Sequence, residues 1–377
     1  MKILVNMAPL KHGGGQNVGL NFLIGLEAYK SNHLFVFVVA RDSLIHKKLA
    51  KSGSYSFFVA PRNPLIRTCW ELTYLSWMLL FLHVDIIYSY FGFSVVLSNK
   101  PQVTGSADSN IYFPEIDFWC DYSPLQKIKR KFIDCYRILI LRLAAAVVFE
   151  NQSLLKRGGT LYGLKNVAYI KPSVAELDDE RADDIKNYPV VNEDTFTVLL
   201  LCGWQLNKNI MLVPAIASEL KKRGYSISFV MTAPLDNSTY QKRFNHLVSK
   251  YDVSDCVFVV GTVRKSQLSF LYSNIDCVLL LSKLESFSNN IIESWFYKRP
   301  LLVADEEWSH SLCQDAAIYV DRDSVGDIAE KIALLSSNPT QYGSIVNAGV
   351  KLLSTYPTVV ERTALEISYL EKVFDKK

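Results

Sequence analysis

Short apolar segments of strand length alternate with helical segments along almost all of this 377-residue sequence. The stretch 275–305 shows the pattern most clearly. A predicted strand over Asp276–Ser282 is followed by a polar loop, a predicted helix over Ile291–Lys298 and a second predicted strand over Leu301–Asp305. Uninterrupted apolar runs are typical of strands buried on both faces, and strands that alternate with helices form parallel sheets. The sequence therefore predicts an α/β protein with doubly wound parallel sheets.

The length and composition indicate two globular domains. A chain of 377 residues is long for one hydrophobic core, and its 49% apolar and 21% charged content is typical of well-packed proteins. The acidic segment 173–194 lacks periodicity, so we predict that it links a first domain over 1–172 to a second domain over 195–357.

Cysteine usage and the N-terminal sequence indicate the cellular compartment of the protein. Seven cysteines without a CxxC pair favour a reducing environment, with buried thiols and without disulfides or a zinc site. The sequence starts directly with a strand-like run, which argues against a signal peptide. We therefore expect a cytoplasmic protein.

Charge is distributed unevenly between the two halves. Residues 1–172 hold 20 lysines and arginines against 10 aspartates and glutamates, a net charge of +10, and the remainder holds 21 against 27, a net charge of −6. A basic first domain suits a negatively charged surface or acceptor. Nucleic acid is not an expected partner, because no base-stacking or groove-binding motif accompanies the charge.

Two predicted helices in the first half of the chain are candidates for contact with a membrane. A helix predicted over Pro124–Ala146 begins with basic residues and follows an aromatic cluster, a combination that suits anionic lipid or a lipid-diphosphate acceptor. A solvated helix face is the alternative. The apolar run Cys69–Val84 is too short for a membrane span and contains Glu71 and His83, so it predicts a buried helix. The basic residues are Lys127, Lys129, Arg130 and Lys131, and the aromatic ones are Phe113, Phe118, Trp119 and Tyr122.

Two glutamates flank the predicted start of the helix in 275–305. Glu285 lies in the loop that leaves the first strand, and Glu293 lies one turn into the helix. Loops at the carboxyl ends of parallel strands bind ligands in open α/β sheets. A helix N-terminus offers N–H groups to phosphate, and carboxylates accept hydrogen bonds from hydroxyls. A nucleotide sugar carries both kinds of group, although two surface glutamates beside a helix are the simpler interpretation of the spacing.

This pattern resembles the signature of retaining, nucleotide-sugar-dependent glycosyltransferases of the GT-B fold. The resemblance rests on Glu285, seven intervening residues, Glu293 and the Pro300 that opens the next strand. It implies two Rossmann-like domains facing across a cleft, with the C-terminal helix 358–377 crossing back to the first domain. Glu285 would bind the hydroxyls of the donated sugar and Glu293 the ribose.

The segment between the two glutamates departs from the family pattern. Where relatives carry Gly-Phe-Gly-Leu-Pro, this chain has Ser-Phe-Ser-Asn-Asn, so only Phe287 is kept. The resemblance places Phe287, Ser288 and Asn289 against the donor. We expect donor preference to depend on this segment.

A second part of the predicted donor site follows the first strand of the second domain. Lys208 lies between that strand and a helix predicted over Ile210–Arg223, where a cation can reach phosphate oxygens. It matches the diphosphate-binding lysine of the family, whereas Trp204 stands where relatives often carry an arginine. An ordinary surface lysine is the alternative.

The chain's one glycine cluster lies near the N-terminus. We predict a loop over Met7–Gly15 and a helix over Gln16–Tyr29, so that Gly14 and Gly15 allow a phosphate or sugar to approach the backbone. In the family resembled, such a pair faces the cleft where donor and acceptor meet, so Gly14 and Gly15 are assigned to donor binding. A tight turn and a dinucleotide-binding fingerprint are the alternatives.

The loop after the strand that ends at Thr104 carries an acidic residue. Relatives commonly place a histidine there, and the polar candidate in this chain is Asp108. We predict that Asp108 acts as a catalytic or acceptor-orienting carboxylate. An Asx turn or a helix cap before Ile111 is the alternative.

The combined prediction is a retaining glycosyltransferase that moves a sugar from a nucleoside diphosphate sugar to an acceptor hydroxyl. The resemblance implies a lipid-linked saccharide acceptor in surface polysaccharide biosynthesis, such as an O-antigen, lipopolysaccharide or capsule, and no metal or other cofactor. Contact with the cytoplasmic face of the membrane would run through the basic first domain. A non-catalytic nucleotide-sugar binding protein and a GT-B epimerase or phosphorylase are the competing functions.

Overall fold

The computed structural model describes residues 1–11, 13–92, 98–174, 183–185, 188–189 and 194–376. The chain divides into two compact α/β units. The first unit comprises Met1–Ala175 together with Tyr356–Lys377, and the second comprises Glu176–Thr355. Most of the predicted linker 173–194 lies outside the described residues.

The first unit is built on a seven-stranded sheet whose paired strands are all parallel. The order across the sheet is β3-β2-β1-β4-β5-β6-β7, so the chain winds outward in both directions from β1 and β4. The strands are β1 (Lys2–Met7), β2 (Leu34–Ala40), β3 (Ser56–Ala60), β4 (Ile86–Ser89), β5 (Gln102–Ser106), β6 (Ala146–Phe149) and β7 (Val167–Tyr169).

Among the residues that the structure describes, six helices connect these strands, and their side chains cover both faces of the sheet. In β1, Ile3 and Val5 pack into one apolar cluster and Leu4 packs into another. Alternating residues of a strand point to opposite faces, so a fully apolar strand needs a core on each side. The helices are α1 (Gly13–Tyr29), α2 (Leu44–Ser52), α3 (Pro64–Trp70), α4 (Ser76–Leu82), α5 (Pro124–Leu143) and α6 (Gln152–Tyr162).

The second unit contains a six-stranded parallel sheet in the order β10-β9-β8-β11-β12-β13. Its strands are β8 (Phe196–Leu200), β9 (Ile227–Met231), β10 (Val257–Val259), β11 (Cys277–Leu280), β12 (Leu301–Ala304) and β13 (Ile318–Val320). Its helices are α7 (Val213–Lys222), α8 (Thr239–Lys250), α9 (Leu268–Ser273), α10 (Asn289–Phe296), α11 (Glu307–Cys313), α12 (Val325–Ser337) and α13 (Pro339–Leu353).

The last helix, α14 (Val359–Asp375), packs against α1 in the first unit. The two helices approach closely at Gly25, where an added Cβ would lie 2.1 Å from the Thr363 Oγ1. Inside this contact Arg362 is 4% exposed and pairs with Glu150 at 2.7 Å and with Glu366 at 3.0 Å. The buried cation thus joins α14 to the end of β6.

The structure corrects the predicted start of α1. The helix begins at Gly13, so Gly13, Gly14 and Gly15 form its first turn instead of a loop before it. Glycine is a poor helix former, which favoured a start at Gln16 in the sequence. Gly13 itself has a φ of 62°, a left-handed value that suits glycine at the entry to the helix.

The prediction of a buried helix over the apolar run Cys69–Val84 is partly wrong. The helical segment starts earlier, at Pro64, where the Asn63 side chain caps it, and one π-helical turn separates α3 from α4. One face is buried, whereas Trp77 and Phe81 are more than half exposed.

The prediction of buried thiols is also partly wrong. All seven cysteines are free, and only Cys277 and Cys313 are buried. Three others, Cys69, Cys120 and Cys135, lie on exposed helical or loop surfaces.

Candidate active site

The strand order of the second unit brings two loops together. β8 and β11 are neighbours, yet β8 leads to β9 on one side of the sheet and β11 leads to β12 on the other. At such a reversal, the crevice beyond the carboxyl ends of the strands is where α/β proteins bind ligands. Lys208 lies after β8 and Glu285 lies after β11.

Lys208 and Glu285 form an ion pair at this reversal. The Lys208 Nζ donates a hydrogen bond to the Glu285 Oε1 across 77 positions of sequence. Their side chains are only 16% and 15% exposed. Charges held in such a partly desolvated position interact more strongly with polar ligand groups than charges in bulk water do.

Hydrogen bonds fix the two loops to each other. The Asn207 Nδ2 donates to the Leu284 carbonyl at 3.0 Å, and the Lys283 N–H donates to the Asn207 carbonyl at 2.8 Å. Sequence reasoning missed Asn207, although its place next to Lys208 is a usable signal. These hydrogen bonds therefore hold together the two loops that carry the ion pair.

The segment around Lys208 corrects the helix predicted over Ile210–Arg223. Helix α7 begins only at Val213, because Pro214 occupies its first turn, where proline is favoured. Before it lie two short 3₁₀ turns, Leu206–Lys208 and Ile210–Leu212. Lys208 thus belongs to a tight turn, not to the start of a long helix.

Helix α10 begins at the same edge of the sheet. Ser288 is its N-cap residue but makes no side-chain cap, and Asn289 is exposed at the first helical position. The Asn290 Nδ2 donates to the Leu201 carbonyl at 2.8 Å, which ties the helix start to the end of β8. Phe287 is partly buried in the preceding loop. The first turn of a helix carries N–H groups without helical partners, which favour anions.

Glu293 lies further along α10 in a desolvated position. Its Oε2 accepts a hydrogen bond from the Tyr272 hydroxyl at 3.2 Å, and the Tyr272 ring stacks on Tyr297 at 4.7 Å. Burial raises the pKa of Glu293 to about 7, against the opposing effects of Tyr272 and Lys265. This carboxyl can therefore change its protonation state near neutral pH.

Trp204, at the position where the family resemblance leads one to expect an arginine, is part of the core. It is 8% exposed, its ring lies 5.5 Å from Phe244, and its Nε1 donates to the Pro234 carbonyl at 2.6 Å. Trp204 thus stabilises the loop after β8 and supplies no cation to it.

In the first unit, Asp108 is paired with a residue that sequence reasoning did not identify. Its Oδ1 lies 3.0 Å from the Arg137 Nη2, and Arg137 also contacts Asp134 at 3.0 Å. Asp108 occupies the N-cap position of the 3₁₀ turn Ser109–Ile111, but its side chain does not cap the turn. Burial raises the pKa of Asp108 although Arg137 opposes the rise.

The two predicted glycines lie on α1. Gly14 has open space where a Cβ would stand, and Gly15 would contact Leu10 at 3.2 Å. Gly14 is exposed in the first turn of the helix. The backbone there is accessible, as the prediction of a ligand near this turn requires.

Among the described residues, no group of three or more His, Cys, Asp or Glu side chains could hold a metal ion. The triplet Asp321-Arg322-Asp323 has Asp-x-Asp spacing. Its Asp321 Oδ1 accepts from the Asp323 N–H at 3.1 Å, and Asp323 pairs with Arg322 at 3.2 Å.

Comparison with known proteins gives a family for the second unit. Residues 182–351 match the family model described as "Glycosyl transferases group 1". The second unit is therefore a glycosyltransferase group 1 domain. No curated protein sequence matches the chain.

Solved structures share the fold over the whole length. A glycosyltransferase from Rickettsia africae superposes with a TM-score of 0.75 and 14% identity, covering 100% of this chain and 99% of its own. Sucrose-phosphate synthase of Thermosynechococcus elongatus gives a TM-score of 0.76 and 14% identity, with 100% of both chains covered. HepE of Anabaena, solved with UDP and glucose, gives 0.69 and 16%, with 99% and 100% covered. The predicted fold class, two Rossmann-like parallel-sheet domains of the GT-B type, is confirmed.

We expect Glu293→Gln to remove part of the pH dependence of stability. The carboxyl has a pKa of about 7 in the folded chain and an ordinary value of 4.5, so the folded state binds the extra proton between these values. Stability is therefore highest below pH 4.5 for this group and falls as the pH rises through 7, by about 3 kcal/mol in total.

Urea unfolding at pH 4 and pH 8 measures this difference. Between the two pH values the wild type should lose about 3 kcal/mol more stability than Glu293→Gln. The exposed Glu330→Gln is the matched control and should keep the wild-type profile. Identical profiles for wild type and Glu293→Gln would show that the fold does not raise this pKa.

Proposed function

We propose that this chain, whose second unit is a glycosyltransferase group 1 domain, transfers a sugar from a nucleoside diphosphate sugar to an acceptor hydroxyl. The carrying observation is the Lys208–Glu285 ion pair at the reversal between β8 and β11. It places one cation and one carboxylate where a ligand with phosphate and hydroxyl groups can engage both. The family resemblance adds retention at the anomeric carbon to this proposal.

Each residue of the second-unit site has a chemical role in the proposal. Lys208 and the first turn of α10 stabilise the negative charge of the departing diphosphate. Glu285 accepts hydrogen bonds from the hydroxyls of the donated sugar, with Phe287, Ser288 and Asn289 around it. Glu293 accepts hydrogen bonds from the ribose. Because leaving-group departure is assisted by fixed charges, the reaction needs no resident metal ion.

Donor binding would change the partners of the ion pair. In the free chain the Lys208 ammonium and the Glu285 carboxylate satisfy each other. A diphosphate can take over the ammonium while sugar hydroxyls donate to the carboxylate, so neither charge is left unpaired in its partly buried position. The free-state pair thus keeps both groups in place for the ligand.

The acceptor side of the proposal rests on the first unit. Asp108 would orient the acceptor hydroxyl, and the backbone at Gly14 and Gly15 would contribute to donor binding. HepE, which shares the fold, is also described in complex with UDP-glucose. This supports a nucleotide-sugar donor.

The exposed apolar side chains of the first unit support a lipid-linked acceptor and contact with a membrane surface. α3, the π turn and α4 expose Leu65, Ile66, Tyr74, Trp77, Leu80 and Phe81, and α5 exposes Leu125, Ile128, Phe132, Leu139 and Leu143. We call these side chains the apolar surface. Lys129 and Lys131 are exposed on α5 among them. No helix of the described residues is long and apolar enough to span a membrane.

We expect one nucleoside diphosphate sugar to stabilise the chain in a thermal-shift screen at millimolar concentration. Lys208→Met should weaken binding of that donor by about 10- to 100-fold, because hydrogen bonds to charged groups contribute roughly 1.5–3 kcal/mol. Lys208→Arg, which keeps the charge, should recover part of the loss. Lys222→Met, a matched lysine exposed at the end of α7, should bind as wild type.

Product analysis completes the donor test. The stabilising donor should yield a glycosylated product with a lipid-linked acceptor, and Glu285→Gln should reduce its formation. Stabilisation without any product would favour a nucleotide-sugar binding protein, and donor consumption without acceptor would favour an epimerase. No stabilisation by any donor would contradict the proposal.

We expect the apolar surface to bind vesicles that contain anionic lipid. Lys129→Gln with Lys131→Gln should weaken binding to phosphatidylglycerol vesicles by roughly 30-fold, since each basic residue near the surface contributes about 1 kcal/mol. Trp77→Ser with Phe81→Ser should reduce binding as well. Leu365→Ser, an exposed leucine on α14, is the control. Cosedimentation that is equal for all variants would rule out this surface as the membrane contact.

A further inference from the structure

The first unit contains a cavity of about 370 Å³ beyond the carboxyl end of β5. Its volume falls within the range of small-molecule sites, about 300–1,000 Å³. Arg67 of α3 lines one part and Arg137 of α5 another, and Lys11 from the loop before α1 lines a third. Asp108 is the one carboxylate among its described lining residues.

Arg67 is a buried cation with unused hydrogen-bonding capacity. It is 7% exposed, and its Nη1 donates to the Ala8 carbonyl at 3.3 Å. Its Nε lies 3.8 Å from the Glu71 Oε1 and makes no hydrogen bond among the described residues. A guanidinium carries five N–H donors in a fixed fork, which suits tetrahedral or planar anions.

Lys11 lies in the positive field of its neighbours. Its Nζ donates to the Arg62 carbonyl, and its pKa is lowered by burial and by the charges of Arg67 and Arg62. Glu71 acts in the opposite direction, and burial raises the pKa of Glu71. An anion bound between the cations would relieve this repulsion.

The remaining charged groups leave room for a ligand. The Asp108 side chain is 43% exposed, and the ion pair with Arg137 offsets its negative charge. Asp134 is held by the other side of the Arg137 fork. Arg137 therefore stays bound to α5 while its Nη2 side faces the cavity region that Asp108 lines.

Apolar side chains border part of the cavity. Ile140 and Leu141 of α5 line it, and the two helices that border it, α3 and α5, both contribute to the apolar surface. A small anion needs no such surroundings. A molecule with a charged head and a hydrocarbon part fits both the cations and the adjacent apolar side chains.

We propose that this cavity binds the phosphate group of an amphiphilic acceptor, through Lys11, Arg67 and Arg137. The hydrocarbon part of that acceptor lies along the apolar surface. This inference rests on the proposed function, because it specifies the chemical class of the acceptor. It makes Lys11 and Arg67 specificity-determining residues, since they select for the charged head.

Calorimetric titration of the full chain without any donor tests the inference. The probes are geranyl monophosphate, geraniol, inorganic phosphate and glucuronate. Geranyl monophosphate should bind at least tenfold more tightly than each of the other three. Lys11→Gln should weaken its binding by about tenfold or more, because a charge-assisted contact is lost. Arg67→Lys should weaken it too, since the ammonium cannot reproduce the fork.

Controls separate this site from the donor site and from misfolding. Lys208→Met should bind geranyl monophosphate as wild type does, which excludes binding through Lys208 at the candidate donor site. Melting temperatures show whether Lys11→Gln is folded, and this partly buried loop residue can be replaced without opening the core. Equal binding of geraniol or of inorganic phosphate would overturn the inference, as would unchanged binding by folded Lys11→Gln. The titration contains no nucleotide sugar. Its outcome therefore does not depend on whether the thermal-shift screen finds a donor.

Discussion

Parallel strand pairing is the constraint on which the arrangement of this protein depends. In both sheets every described pair of neighbouring strands is parallel, so all carboxyl ends of a sheet lie at one edge and each return runs through a crossover. Where the winding reverses, loops that are distant in sequence meet. Lys208 and Glu285 contact each other for this reason. The cavity of the first unit lies beyond β5 at the corresponding edge of the other sheet.

Buried charges occur both in enclosed clusters and beside open crevices, and their partners indicate their roles. Arg362, with Glu150 and Glu366, forms a fully enclosed cluster that Tyr90 completes with a 3.0 Å hydrogen bond to Glu366. Removing one member of such a cluster leaves a buried charge unpaired, so it serves the structure. The Lys208–Glu285 pair and Arg67 instead retain access to a crevice or cavity.

Much of the fold could be predicted from the sequence, because strand burial leaves a local signal. The strand predicted over Leu301–Asp305 corresponds to β12, Leu301–Ala304, and the alternation of strands and helices gives the correct class. The start of α1 is harder to predict, because three glycines with poor helix propensity form its first turn. The exposure of Trp77 and Phe81 could not be predicted from the sequence either. An apolar run does not indicate which face of the helix packs against the rest of the protein.

The candidate site was predictable in its parts but not in its pairing. Lys208, Glu285 and Glu293 follow from their places after strands and on a helix, whereas the partner of Asp108 does not. Arg137 is 29 residues away on a helix whose rotation the sequence leaves open. Arg67 lies next to a segment that sequence reasoning treated as a plain buried helix, and only the structure brings it to the same cavity as Lys11.

The central claim is that the Lys208–Glu285 pair marks the donor site. A crystal structure of the chain with UDP or the donor found to bind tests it most directly. The account predicts diphosphate oxygens within about 3 Å of the Lys208 Nζ and beside the first turn of α10, with the ribose at Glu293. A nucleotide bound away from the β8–β11 reversal, with the Lys208–Glu285 pair untouched, would contradict it.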